Sequence, residues 1–191
     1  MKNILSSIPV LILTIAFIGC SSVESETKDW EANQKYVKDK ERDFPQFREF
    51  FAEDVKNANV LWDKALKIQD EDQKIEAMVK ANQTLRSLMD LINSFYSVIS
   101  SVESSIRDIM RKVPDQERTE RINRTITDTE TMIRQSKSRI IDGRFDSGDG
   151  LKKYLQESTK MIRDGNTVLS DFYKAYVRKQ EEADTVRKKI K

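Results

Sequence analysis

Catalysis and metal binding need nucleophiles, general bases or ligating side chains, and this chain is short of them. Its 191 residues include no histidine and a single cysteine, Cys20. Without imidazole there is no Ser-His-Asp or Cys-His catalysis and no thiolate–imidazole metal site. The Glu-x-x-His motifs of a diiron bundle are excluded for the same reason. Adjacent carboxylates remain at Glu53-Asp54 and Glu181-Glu182, but a chain with 35% charged residues supplies such pairs by chance. Asp142, Asp146 and Asp149 sit around the stretch GRFDSGDG, residues 143–150. Counted as a calcium loop from Asp142, it puts Arg144 at the third position, Ser147 at the glycine position and Lys153 at the final glutamate position. The spacing fails three times, so the segment reads as a helix C-cap at Gly143 and a turn. No glycine-rich phosphate loop occurs. The expectation is no enzyme, no metal and no cofactor.

Binding chemistry is carried by aromatics and one asparagine. Trp62, Phe95 and Tyr96 are the side chains that could line a small-molecule cavity between helices. The group Phe44, Phe47, Phe50, Phe51 and Trp62 could form a pocket or a docking surface, yet spacing along one helical face reads as core. Phe50 alone lies off that stripe. Asn82 occupies an apolar stripe, where an asparagine sets register or holds water rather than marking a ligand. These signals assign no ligand-binding residue.

The first twenty residues carry an address. Lys2 is followed by an apolar run, Ile8 to Ile18, that is shorter than the roughly 20 residues needed to span a bilayer. The run ends in Phe17-Ile18-Gly19-Cys20, then Ser21-Ser22. This resembles the lipobox of bacterial lipoproteins, with a small residue before the cysteine. Phe17 departs from the leucine preferred there, which is similar to the looser lipoboxes of spirochaetes. The resemblance implies cleavage between Gly19 and Cys20, a thioether-linked diacylglycerol on Cys20 and a third acyl chain on its amine. Two or three acyl chains hold a protein on a membrane far more firmly than one. The alternative is a plain secretory signal with a chance cysteine. On this reading residues 1–19 are a signal peptide, 20–27 an acylated cysteine with a short polar tether, and 28–191 one helical domain.

Those features must be positioned by helices. After Cys20 there are two prolines, Pro45 and Pro114, and four glycines, three of them within residues 143–150. No alternating β-branched run bounded by turns occurs, so no sheet is expected. The stretch LRSLMDLINSFYSVISSV, residues 85–102, carries two apolar stripes in steps of three and four. One contains Leu85, Met89, Ile92, Tyr96 and Ile99; the other contains Leu88, Leu91, Phe95, Val98 and Val102. Two adjacent stripes make a helix with neighbours on more than one side. The fold class predicted is all-α: an antiparallel bundle of four to five helices with long, coiled-coil-like central and C-terminal helices. The expected helices cover about 28–42, 45–69, 70–112, 114–142 and 149 onwards. Gly165 either permits a close helix contact or ends one helix before another begins. The fourth helix, with a thin isoleucine stripe through Ile141 and many threonines, is expected to be the most dynamic.

Charge is uneven. Residues 24–76 hold 15 acids against 10 bases, and residues 77–191 hold 17 against 23. This is either two packed halves of opposite sign or a dipolar surface facing anionic lipid or an acidic partner. No dense basic stripe points to nucleic acid. The function expected is that of a lipid-anchored, non-enzymatic lipoprotein of the cell envelope, placed at the outer membrane on either face. It would act through protein contacts as a scaffold or accessory subunit. The alternatives are a surface lipoprotein binding host or environmental ligands, and a small-molecule binder.

Overall fold

The computed structural model describes residues 21–143 and 145–190, so residues 1–20, with the expected signal peptide and Cys20, lie outside the described residues. Five α-helices follow one another: α1 Val23–Asp43, α2 Arg48–Ala65, α3 Glu71–Lys112, α4 Glu120–Asp142 and α5 Gly148–Ile190. Short 3₁₀ turns, Pro45–Phe47 and Asp115–Glu117, precede α2 and α4. The described residues contain no strand. The protein is all-α, as its pattern of glycine and proline requires.

Local chemistry moves several boundaries from where periodicity alone puts them. Val23–Thr27, expected as tether, is helical because Ser22 and Ser25 form a reciprocal cap. Ser22 Oγ accepts from the Ser25 N–H at 3.1 Å, and Ser25 Oγ accepts from the Ser22 N–H at 2.9 Å. Such a pair satisfies two amides that a helix start otherwise leaves open. α2 ends at Ala65, short of Gln69, as the chain tightens into i→i+3 bonds from Lys67 to Lys64 and from Ile68 to Ala65. Asp70 then caps α3 by accepting from the Gln73 N–H at 2.9 Å. Pro114 does not start α4; Thr119 caps it five residues later.

Contacts give the topology. Trp30 stacks on Trp62 and Gln34 reaches Asn59, so α1 and α2 run antiparallel. Asn33 meets Asn82 and Phe44 meets Tyr96, so α1 runs parallel to α3. Lys152 reaches Asp54 beside Leu88, Lys112 sits over Tyr173, and Lys179 reaches Glu117. Hence α5 also runs parallel to α3, starting at its middle and continuing past its end. α4 returns antiparallel to both.

The result is two up-down-up three-helix bundles placed end to end. They share α3, whose 42 residues span about 60 Å at the usual helical rise. α1 and α2 pack on its first half; α4 and α5 occupy its second half. Both predicted stripes of α3 are used. Leu85, Met89, Ile92 and Ile99 are buried, as are Leu88, Phe95 and Val102, while Leu91, Tyr96 and Val98 are half-buried. Val37, Phe47, Phe51, Leu151, Leu155 and Ile162 join them in one continuous core.

α4 buries a thinner face, in which Thr129 and Ser136 alternate with isoleucines. Ile141, expected in its stripe, is 74% exposed, because the stripe ends at Ile140 where Gly143 caps the helix in the left-handed region. α5 runs unbroken through Gly165. A Cβ at that position would lie 2.5 Å from Thr129 Oγ1 and 3.5 Å from Thr129 Cβ, so this glycine lets α4 and α5 approach. Alanine normally gains about 1 kcal/mol over glycine inside a helix, whereas overpacking costs about 1–3 kcal/mol. Gly165→Ala is therefore expected to leave stability unchanged or lower it. In a Thr129→Ala background the same change should stabilise by up to about 1 kcal/mol. Urea denaturation of the four proteins in this cycle checks the coupling.

Candidate functional site

Apart from Thr129, Ser136, Ser158 and Thr159, buried on α4 and α5, the buried polar side chains of the described residues gather at a waist and a groove. The waist is where the two three-helix halves meet. There Asp54 of α2 is only 2% exposed. Its Oδ2 accepts from Ser87 Oγ at 3.2 Å and the Leu88 N–H at 3.3 Å, and its Oδ1 accepts from Lys152 Nζ. Beside it, Glu53 Oε2 accepts from the Gly148 N–H at 3.2 Å. That amide opens α5, where unpaired N–H groups and the helix dipole favour an anion. The pair Glu53-Asp54 thus fastens α2 to the start of α5.

Aromatic contacts surround this fastener. Phe44 stacks on Tyr96 at 5.2 Å, and Phe95 meets Tyr96 edge-on at 5.3 Å. Phe50, the residue off the α2 stripe, reaches Phe145 of the α4–α5 connection at 6.3 Å. Phe145 touches Tyr154 at 5.4 Å, and the Arg139 guanidinium lies 4.8 Å above the Tyr154 ring. Burial raises the pKa of the Tyr96 phenol, with Lys137 opposing. Ring geometry and a cation over a π face each strengthen such contacts beyond area burial.

The groove lies between α1 and the first half of α3, with a volume of about 590 Å³. Three polar residues form its inner wall: Glu26, Asn33 and Asn82 are 6%, 7% and 6% exposed. Asn33 Nδ2 donates to Asn82 Oδ1 at 2.9 Å. Asn82 Nδ2 donates to the Glu26 carbonyl at 3.1 Å and to Glu26 Oε2 at 2.9 Å. Asn82 therefore sets the register of α1 on α3, as an asparagine in an apolar stripe does. Toward solvent lie Asp29, Glu76 and an Arg86–Asp90 pair at 3.7 Å. Beyond them Tyr36 accepts from Asn93 Nδ2. Burial, then the Asp90 charge, raises the Tyr36 pKa.

The residues singled out in the sequence fare differently. Cys20 lies outside the described residues, directly before Ser21. Trp62, Phe95 and Tyr96 line no common cavity among the described residues. Trp62 stacks on Trp30 at 4.4 Å in a cluster with Ala65, Met78 and Ala81, while Phe95 is fully buried in the main core. Around Gly143–Gly150 the polar groups cap helices: Ser147 Oγ accepts from the Gly150 N–H at 3.1 Å. Glu181 and Glu182 are exposed on the last part of α5. Glu26 and Asn33 were missed. The pattern that holds them is Glu26, Trp30, Asn33, Val37, four residues in helical steps with polar ones at two inward positions.

The fold places the chain among all-α helical bundles. Comparison with protein-family models, curated proteins and solved structures finds no match.

Removing one partner of a buried ion pair leaves an uncompensated charge and costs about 3–5 kcal/mol, whereas replacing both with apolar groups is often neutral. Asp54→Ala should therefore lower unfolding stability by roughly 3 kcal/mol. The double variant Asp54→Leu/Lys152→Met should recover most of that loss, as read by urea denaturation.

Proposed function

We propose that the chain is a lipid-anchored, non-enzymatic lipoprotein of the bacterial envelope. Acyl chains on Cys20 hold it at a membrane, and it works through protein contacts as a scaffold or accessory subunit. The observation that carries this reading is the order of the chain around the first helix. The lipobox-like Phe17-Ile18-Gly19-Cys20 is followed by only Ser21 before Ser22 caps α1. An anchor at Cys20 would thus sit at the base of the bundle with almost no tether. Among the described residues no helix is long and apolar enough to cross a membrane, so attachment in this reading rests on Cys20.

The tandem arrangement suits a spacer. α3 and α5 both run away from the Cys20 end, and the last turns of α5 pass beyond α3. A partner meeting that far end would do so about 60 Å or more from the lipid. The polar fasteners at the waist hold helices together, and no catalytic role is assigned to them.

In the native bacterium, Cys20→Ala should abolish acylation and shift the chain from the detergent phase to the aqueous phase in Triton X-114 partitioning. Mass spectrometry of the N-terminal peptide reads the same change. A parent protein that carries no acyl group, or a variant that stays in the detergent phase, would overturn the anchor. Protease treatment of intact cells, with a periplasmic control, then separates the two faces. Digestion with the control spared favours binding of external ligands; protection until lysis favours an envelope scaffold.

A further inference from the structure

The end of the bundle next to Cys20 is built from two pieces of the described chain, the start of α1 and the α2–α3 turn. Val23, Trp62, Ala65 and Met78 close on one cluster there, which ties the first turn of α1 to the last turn of α2 and the start of α3. The α4–α5 connection lies at the waist, and Glu117 and Lys179 meet at the opposite end. The turn reaches further out than α1 does. Ser21 lies level with Ile75 and Val79, with which it lines the groove, whereas α3 begins at Glu71. Residues 66–70 therefore extend about 6 Å past Ser21 at the usual helical rise. Cys20 is one Cα–Cα step, about 3.8 Å, from Ser21. The headgroup layer of a bilayer is about 5–7 Å deep on each side. Acyl chains on Cys20 would thus carry the turn into that layer when the bundle stands on this end.

The turn presents an apolar side chain that its own fold does not use. Ala65 is fully buried and Ile68 half-buried, but Leu66 is 50% exposed. Backbone bonds from Leu66 to Trp62, Lys67 to Lys64 and Ile68 to Ala65 hold the turn, and any residue at position 66 would make the first of them. A lone exposed leucine is ordinary on a protein surface; its place at the end that carries the anchor supplies the occupant. Lys64 and Lys67 flank it, both exposed, with long stems that lie along apolar surface while the ammonium groups stay in polar surroundings. Asp70, Glu71 and Asp72 at the same end are also exposed and would oppose an anionic surface.

We propose that the α2–α3 turn is a second membrane contact. Leu66 enters the headgroup layer of a net-neutral lipid surface, Lys64 and Lys67 reach its phosphates, and the bundle stands upright with α3 leading away from the lipid. This contact rests on the anchor at Cys20, because one leucine adds too little apolar area to hold the protein on a membrane by itself.

Nitrobenzoxadiazole fluorescence of the natively acylated full chain, in vesicles of phosphatidylcholine and phosphatidylethanolamine, tests this. Acylation consumes the Cys20 sulfur, so Leu66→Cys, Val60→Cys and Met110→Cys each offer the label a single thiol. The three residues are 50%, 47% and 52% exposed, so none of the changes removes core. The label at Leu66→Cys should shift to the blue on vesicles. Spin-labelled headgroups should quench it several-fold more than the label at Val60→Cys, about 9 Å higher on α2. The label at Met110→Cys, about 60 Å away along α3, should not respond. Adding phosphatidylglycerol should not strengthen the quenching.

Mass spectrometry of the N-terminal peptide in the same samples keeps two failures apart. Acylated protein whose label at Leu66→Cys is quenched no more than that at Met110→Cys overturns the contact and leaves the anchor standing; a chain without acyl groups removes both. Equal quenching at all three positions would overturn the upright stance. A blue shift at Leu66→Cys that needs no vesicles and grows with protein concentration would overturn the lipid contact in favour of a second copy of the chain. Quenching that appears only with phosphatidylglycerol would overturn the net-neutral surface.

Discussion

The two halves of the structure are aligned at one buried carboxylate. Asp54 of α2 lies where α2, α3 and α5 meet, and it bonds to α3 through Ser87 and the Leu88 N–H and to α5 through Lys152. Without that junction α1 and α2 would pack on one half of α3 and α4 and α5 on the other. The two groups would then meet only through the shared helix and the apolar contacts of the common core. A buried ion pair is a poor source of net stability, because desolvation offsets most of the attraction. What it supplies here is alignment: α5 begins opposite Asp54, with Glu53 on the Gly148 N–H and Asp54 on Lys152. The aromatic contacts from Phe44 to Tyr154 then provide the apolar area that holds the aligned parts together.

Much of the fold could be read from the sequence because helices declare themselves locally. The two stripes of residues 85–102 identified the shared helix, and Gly143 and Pro45 marked real interruptions. The errors came from interactions that periodicity does not encode. The Ser22–Ser25 cap carries α1 back into a segment that composition alone reads as tether. Gly165 looked ambiguous because its use depends on Thr129, 36 positions earlier in the chain, and that contact exists only after α4 has folded back. The tandem arrangement was not legible either. Helix lengths and stripes do not say which half of a 42-residue helix receives which neighbours.

The polar sites were harder still. Glu53-Asp54 looks like a chance pair in a chain rich in charge, since pairing to α5 is a long-range event. Trp62, Phe95 and Tyr96 suggested one cavity, but Trp62 stacks on Trp30 in a separate cluster, while Phe95 and Tyr96 pack against each other in the main core. Asn82 was correctly placed as a register device, whereas its partners were not found. Glu26 and Asn33 lie in step with Trp30 and Val37, and polar residues at inward positions of a helix were the available signal. The lipid proposed on Cys20 rests on sequence resemblance alone; if it is present, the cap at Ser22 would leave almost no slack between it and the bundle.

The central claim is that the waist makes one body of two three-helix halves. Both tryptophans, Trp30 and Trp62, belong to the first half, so their fluorescence reports on that half only, whereas far-ultraviolet circular dichroism reports on all five helices. The most direct measurement is therefore urea unfolding of the intact chain followed by both signals in one titration. Superimposed transitions with a common midpoint and slope are the expected result, the signature of a single cooperative unit. A tryptophan transition displaced from the circular dichroism transition, or a two-step circular dichroism curve, would contradict it and leave two independent bundles on one shared helix.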